Sequence, residues 1–224
     1  LIAQMRLRRD RAVVFDLTGA YVEAFYNPET DTILNPMDER CPSWSVFGEA
    51  KNHADFTGIA AALLPADGGG AEPFWMLAAR TLFVETCIKL IKDGQATNQA
   101  LASRLMMADL KEVHKMLENT VADPLTAPEA AKMAESIRAV FNTNAQALRF
   151  LPEGKEPFSI QTWIRTDDKP GSILFITSSH NELVLNRALL SLWMNLAVHT
   201  LMRLPRTRSL RTWFFFDEVH ALHR

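Results

Sequence analysis

Nowhere in the 224 residues is there a G-x-x-x-x-G-K-[ST] phosphate loop. The triple glycine Gly68-Gly69-Gly70 runs into Ala-Glu-Pro, with no lysine to meet a phosphate, so it does not replace that loop. Cysteine is scarce as well. Cys41 and Cys87 are too few and too far apart for a disulfide framework or a metal cluster, which leaves two plain thiols and makes a reducing compartment the default. Positive charge is not in excess: a formal net charge of -2 excludes a broad basic face, so any nucleic-acid contact must be local or come from an assembly. Uninterrupted apolar runs of membrane-spanning length are missing too. The longest apolar segment, Leu183 to Leu204, is broken by Asn186, Arg187, Ser191, Asn195, His199 and Arg203, whereas a spanning helix needs about 20 mostly apolar residues. This stretch is therefore expected not to cross a membrane, and it carries no signal-peptide pattern, which an internal piece would not show. An initiator methionine is also absent. The chain opens at Leu1 as if a helix were already under way and closes just after an acidic pair, so both ends are expected to be cuts in a larger protein, with the phosphate loop upstream.

What is present is ordinary globular material, 48% hydrophobic, enough for one large domain or two small ones. The most informative stretch is Arg211 to Arg224. Its four consecutive aromatics, Trp213 to Phe216, are expected to be buried on both faces, as in a central strand of a parallel sheet. Asp217 and Glu218 follow at once. Carboxylates leaving the carboxyl end of such a strand stand where open α/β sheets bind ligands. This is the Walker B arrangement, in which the aspartate holds the magnesium of a bound nucleotide, usually through water, and the glutamate orients the attacking water. The plainer reading is a strand followed by a polar helix cap.

Taken in order, Arg11 to Gly19 is a short apolar strand ending in a polar residue and a glycine turn, which puts Asp16 at a strand's carboxyl end as Asp217 is. A second extended piece, Thr32-Ile-Leu34, is stopped by Asn35-Pro36. From Pro42 the pattern is helical for about a hundred residues. Ser43 is expected to cap a helix carrying Trp44, Phe47 and Ala50, and Asp55 or Thr57 to cap another through Leu64. Ala66 to Pro73 is a loop. Phe74 to Lys92 follows with an inner face of Phe74, Leu77, Ala78, Leu82, Cys87, Ile88 and Ile91. Thr97 and Asp109 cap two short helices, and Pro128 opens a last one that runs to Phe150. After Pro152 the α/β pattern returns: Ser159 caps Ile160 to Arg165, Ser172 to Thr177 is a buried strand, and a helix from Glu182 to Leu204 leads into the aromatic strand. The carboxyl ends of these last two strands are expected on one edge of one sheet.

With these residues laid out, the chain resembles the type IV coupling proteins, the TraD/TrwB family of conjugative DNA pumps, and most of all its TraD branch. The resemblance is carried by six short motifs in order: Asp16-Leu-Thr-Gly19, Ile33-Leu-Asn-Pro-Met-Asp-Glu-Arg40 with Trp44 behind it, Glu72-Pro-Phe-Trp75, Phe158-Ser-Ile-Gln-Thr-Trp163, Leu174-Phe-Ile-Thr-Ser178 and Trp213-Phe-Phe-Phe-Asp-Glu218. It implies an α/β fold, the RecA-like P-loop NTPase portion with an inserted all-α domain. The expected parts are residues 1–41 and 153–224 for the nucleotide-binding domain and 42–152 for the helical one. It further implies ATP and Mg as cofactors, with Asp217 as the magnesium aspartate, Glu218 as the catalytic glutamate, and Asp16 and Gly19 in the strand and turn near the nucleotide. The implied partners are DNA, the relaxosome proteins (relaxase and accessory protein) and the type IV secretion channel. The implied parent is a homo-hexamer on the cytoplasmic face of the bacterial inner membrane, reached through membrane segments outside this soluble stretch. Lacking a phosphate loop, the stretch alone is expected not to hydrolyse ATP.

Other readings compete at single residues. Asp217-Glu218-Val219-His220 also spells a DExH box, which would make the chain a superfamily 2 helicase, but the upstream helicase motifs are absent. His220-x-x-His223 could be a metal pair, against which stands the lack of a nearby third ligand. Thr177-Ser178-Ser179 could sense a phosphate or be a polar strand end, and the basic residues of Lys111 to Lys132 could meet DNA or form a solvated face. The helical region could also be purely a recognition module for DNA or a relaxosome protein.

Overall fold

The computed structural model describes residues 1–65, 74–166, 168–205 and 211–222. The expected loop Ala66 to Pro73, with its three glycines, and His223 lie outside these residues. The chain divides into two compact units, one of residues 1–44 and 151–224 and one of residues 45–150. The second unit is therefore a sequence insertion in the first.

The first unit begins with α1 (Ile2–Leu7), β1 (Arg11–Asp16), α2 (Ala20–Phe25), β2 (Thr32–Leu34) and a two-residue strand β3 (Ser43–Trp44). The inserted unit is helical in every regular element: α3 (Val46–Glu49), α4 (His53–Leu63), α5 (Phe74–Lys92), α6 (Asn98–Ala102), α7 (Leu110–Leu117), α8 (Asp123–Thr126) and α9 (Ala131–Asn144). The first unit then resumes with β4 (Pro157–Phe158), α10 (Ile160–Arg165), β5 (Ile173–Thr177), α11 (Leu183–Met202) and β6 (Thr212–Phe216).

The sheet of the first unit has the order β2-β5-β1-β6, all parallel. Its centre is β1 and β5. Ala12, Val13, Val14 and Phe15 of β1 and Ile173 to Ile176 of β5 are fully buried, which is what continuous β-branched and aliphatic runs achieve when both sheet faces are covered. The aromatic strand is less enclosed within these residues than β1 and β5. Among the described residues β6 is an edge strand; Trp213, Phe214 and Phe215 are only half-buried and Phe216 is 45% exposed. Aromatic runs suit a pleated surface whether or not a second neighbour is present, because alternate rings pack on one another along a face. Trp213 lies 6.3 Å from Phe215, and Phe214 lies 5.8 Å from Phe216.

Two polar groups fix the amino ends of the strands. Asp31 accepts from the Arg6 guanidinium, from the backbone N–H of Asn27 (2.9 Å) and of Ile173 (2.9 Å), and from Thr30 Oγ1 (3.0 Å). Arg11 is buried and closes the carboxyl end of α10, donating to the carbonyls of Trp163 (2.5 Å), Ile164 (3.0 Å) and Thr166. The last carbonyls of a helix have no partner of their own, and a guanidinium with several donors meets them.

Ser43 does not cap a helix. Its N–H reaches Glu156 O at 3.1 Å and its Oγ donates to Pro152 O at 2.7 Å, so Ser43 and Trp44 pair with β4 instead. Trp44 is buried edge-on against Trp193 of α11, with centroids 5.6 Å apart. Ser45 takes the capping role by accepting from Phe47 N, and Asn52 rather than Asp55 or Thr57 caps α4. Ser is favoured at both positions, so composition alone could not place the helix start between them.

In the inserted unit α5 packs against α4, α6, α7 and α9. Being contacted on several sides, it buries Ala79, Phe83, Val84 and Leu90 besides the expected Ala78, Leu82 and Cys87, while Phe74, Leu77 and Ile91 are exposed. Thr97 and Asp109 cap α6 and α7 as their sequences suggest. The long final helix is broken into a 3-10 turn (Pro128–Ala130), α9, and a second 3-10 segment (Gln146–Phe150). A π-helical turn, Ser103–Met107, follows α6.

Candidate functional site

The register sets the site. Thr177 lies opposite Asp16, Leu34 opposite Ile176, and Phe15 opposite Phe216, so the carboxyl ends of all four strands are level. The loops that leave them share one rim: residues 17–19, 35–40, 178–182 and 217–218. In an open parallel sheet this is the rim at which ligands bind, because the peptide N–H groups and polar loop residues gather there while both faces are covered.

Asp217 and Glu218 stand on that rim at the end of β6. The ladder runs one step past the strand, with the Asp217 N–H donating to Phe15 O at 3.2 Å. The Asp217 carboxylate is half-buried, and among the described residues nothing donates to it. Such an uncommitted carboxylate fits a hydrated magnesium ion, a hard cation that keeps several of its waters. Glu218 has a φ of 53°, in the left-handed region that residues with a Cβ seldom occupy. Its side chain is 39% exposed, and Oε2 is 4.0 Å from Nε2 of His180.

Asp16 is placed differently from an open ligand. Its carboxylate is fully buried and accepts from the N–H of Gly19 (2.9 Å), the N–H of Val22 (2.9 Å) and Thr18 Oγ1 (3.3 Å). It therefore holds the turn between β1 and α2 and presents no surface to a bound molecule. Gly19 is the hinge of that turn, at φ 78° with open space around it. A left-handed φ here is what makes glycine the fitting residue.

Between the loops of β1, β2 and β5 lies a cavity of about 680 Å³, lined by residues that include Gly19, Glu23, Asn35, Asp38, Arg40, Thr177, Ser178, Ser179, His180 and Glu182. Its charge is mostly negative. Arg40 is paired with Asp38 (2.6 Å) and lies over the Tyr26 ring at 5.0 Å. The Arg40 hydrogen bond holds the Asp38 carboxyl below its ordinary range, burial opposing it. Neither Asp217 nor Glu218 lines this cavity; His180 does, and its contact with Glu218 is the link between them. A second cavity of about 400 Å³ lies near the amino ends of the strands and is lined by residues that include Arg11, Asp31, Thr32, Trp163 and Ser172.

His180 is a functional candidate that no motif marked, and the Asp38–Arg40 pair puts the Ile33 to Arg40 motif on the wall of this cavity. His180 lies just past the end of β5, and its position on the shared rim was the only available signal. Two other histidines are accounted for by their surroundings. His114 contacts Thr126 and Asp123, and His199 is exposed on α11. Among the described residues no group of three or more His, Cys, Asp or Glu could hold a metal ion, and no helix is long and apolar enough to cross a membrane.

An open parallel sheet with an acidic pair at its carboxyl rim, interrupted by a helical unit, defines the RecA-like class of nucleotide-binding proteins. Comparison with known proteins narrows this: the model of the type IV secretion-system coupling protein DNA-binding domain matches residues 1–224, and the chain belongs to that family. It is 33% identical over 224 residues to coupling protein TraD of Escherichia coli (strain K12), covering 98% of this chain and 31% of TraD. Among solved structures, the unbound conjugative coupling protein TrwBdeltaN70 superposes with a TM-score of 0.84 at 31% identity, over 96% of this chain and 50% of that one. TrwB in complex with the non-hydrolysable ATP analogue ADPNP superposes with a TM-score of 0.83 at 31% identity, covering 96% of this chain and 51% of TrwB. TrwB in complex with ADP and Mg2+ gives the same TM-score, identity and coverage. The chain thus spans about a third of TraD and about half of the TrwB chains.

Proposed function

We propose that this chain is part of an ATP-driven DNA pump, in which its sheet contributes the acidic half of a nucleotide site. The observation that carries this reading is the Asp217-Glu218 pair at the carboxyl rim of a parallel sheet, in a chain of the coupling-protein family. TrwB binds ADPNP, and ADP with Mg2+, which supports the same ligands here. Magnesium-bound ATP supplies a phosphoanhydride whose hydrolysis releases free energy. Asp217 would hold the metal through water, and Glu218 would orient and polarise the attacking water. Asp16 and Gly19 serve the site by fixing the turn after β1. The phosphate cradle would come from a segment outside these residues, so the chain by itself has no turnover.

In this reading the helical unit, 45–150, is the recognition module for DNA or a relaxosome protein. The assembled protein is a homo-hexamer at the cytoplasmic face of the inner membrane that passes the DNA–relaxase complex to the type IV secretion channel. The superfamily 2 helicase reading loses ground to the family match over the whole chain. The test is DNA-stimulated ATP hydrolysis by the complete coupling protein. Asp217→Ala and Glu218→Gln should each reduce it by about 100-fold or more, the order expected for groups that act on the transition state. Undiminished rates would remove these residues from the mechanism.

A further inference from the structure

Glu218 faces an unexpected neighbour. In the strand order β5-β1-β6, the loop after β5 and the loop after β6 are separated by the end of β1, yet His180 Nε2 reaches to 4.0 Å from Glu218 Oε2. The contact thus crosses over the carboxyl end of β1. The left-handed backbone of Glu218, φ 53°, is the local departure that accompanies this direction. The loop carrying His180 is anchored from below: Asn186 of α11, fully buried, donates to the buried Ser178 Oγ at 3.0 Å.

The side to which Glu218 is drawn is a poor place for phosphate. The cavity on that side is lined by the carboxylates of Glu23, Asp38 and Glu182 and by one guanidinium, Arg40, which Asp38 already engages. Like charges in a cleft repel the several negative charges of a nucleoside triphosphate. The amino end of α11 does not reverse this, because Glu182 stands at its cap and accepts from Ser179 N.

We propose that His180 is a positioning residue that holds the Glu218 carboxylate over β1, away from the phosphates of a bound nucleotide, and that Glu218 must leave it to act. The contact suits a reversible hold. Both side chains are partly exposed, 65% for His180 and 39% for Glu218, so water replaces either partner at little cost. Because His180 also lines the cavity, movement of its loop frees Glu218, which couples the state of the β5 loop to hydrolysis. This inference rests on the proposed role of Glu218.

The test uses the complete coupling protein with His180→Ala, His180→Gln and Glu218→Gln. His180→Ala is expected to raise ATP hydrolysis without DNA about two- to fivefold, the range of a weak exposed polar contact, with KM for ATP and the DNA-saturated rate unchanged. His180→Gln, which keeps an N–H donor, should fall between this variant and the parent. A second readout is independent of turnover. With His180→Cys and Glu218→Cys together, a short bis-maleimide should join the two positions without nucleotide, and a non-hydrolysable ATP analogue with magnesium should suppress the cross-link. A DNA-free rate in His180→Ala that is unchanged or lower, or a cross-link indifferent to the analogue, overturns the hold while leaving Glu218 in place. A Glu218→Gln variant with full DNA-stimulated turnover overturns both.

Discussion

Asp31, one residue before β2, accepts a hydrogen bond from the backbone N–H of Ile173, the first residue of β5, at 2.9 Å. The same carboxylate receives Arg6, so one side chain ties α1, the β2 loop and the centre of the sheet together. Replacing it by alanine strands a partly buried guanidinium and a buried N–H. Asp31→Ala should cost about 3–5 kcal/mol, the range for breaking a buried ion pair, and Asp31→Asn distinctly less because an acceptor remains. Denaturant midpoints of the two variants check the order.

Arg11 gives a second stability test. Its guanidinium meets three carbonyls at the end of α10 and lies 5.0 Å from the Trp163 ring. Arg11→Lys keeps the charge but cannot reach three acceptors in a plane, so it should lose about 1–3 kcal/mol, and Arg11→Met more. A Lys variant as stable as the parent, with Met alone destabilised, would show that the charge, not the fork, is what matters.

Gly19 and Glu218 share a backbone region but differ in what a substitution does. Nothing lies within 4 Å of a Cβ built at Gly19, so Gly19→Ala should cost only the left-handed backbone penalty, about 1–2 kcal/mol. At Glu218 the strain is already present. Glu218→Gly should leave stability within about 0.5 kcal/mol of the parent, as relief of strain offsets the extra freedom of glycine in the unfolded chain, while hydrolysis by the complete coupling protein should be lost. Thermal unfolding with a matched ATPase assay separates the two effects.

Cys41 links stability to alkaline pH. Burial pushes its thiol up to about 11, and burial pushes the Cys87 thiol up as well. A thiol raised in the folded state favours folding fully below its unfolded value, about 8.5, and that contribution is lost as pH rises through the folded value. Unfolding midpoints should therefore decline between about pH 8.5 and 11, and Cys41→Ser should flatten part of the decline. Thiol reagents at neutral pH should label neither Cys41 nor Cys87 until the protein unfolds.

Much of this fold was legible because its signals are local. Val13, Val14 and Phe15, or Ile173 to Ile176, are runs whose composition leaves few alternatives to a buried strand, and Thr97, Asp109 and Ser159 are caps recognisable from the chain alone. What escaped depended on distant partners. Whether Trp213 to Phe216 lies at the centre or the edge is decided by neighbouring strands, not by the aromatics. Ser43 and Ser45 are chemically alike, and only the arrival of Glu156 and Pro157 draws the first into a strand. At the rim, Asp217 and Glu218 were visible as a motif. The buried engagement of Asp16 and the approach of His180 to Glu218 arise from three-dimensional register, which no spacing in the sequence encodes.

The interleaving of β5 between β2 and β1 has a consequence for biosynthesis. Asp31 and Ile173 are 142 positions apart, and among the described residues β2 has no other strand partner. As the polypeptide leaves the ribosome, its opening strands must wait for the whole helical insertion to be made before their hydrogen-bonding edge exists. The insertion carries its own buried core and has no such wait. Emerging chains are thus expected to order the middle first and the two flanks together afterwards, with the unpaired Val13-Val14-Phe15 segment the part most in need of shielding from aggregation during the delay.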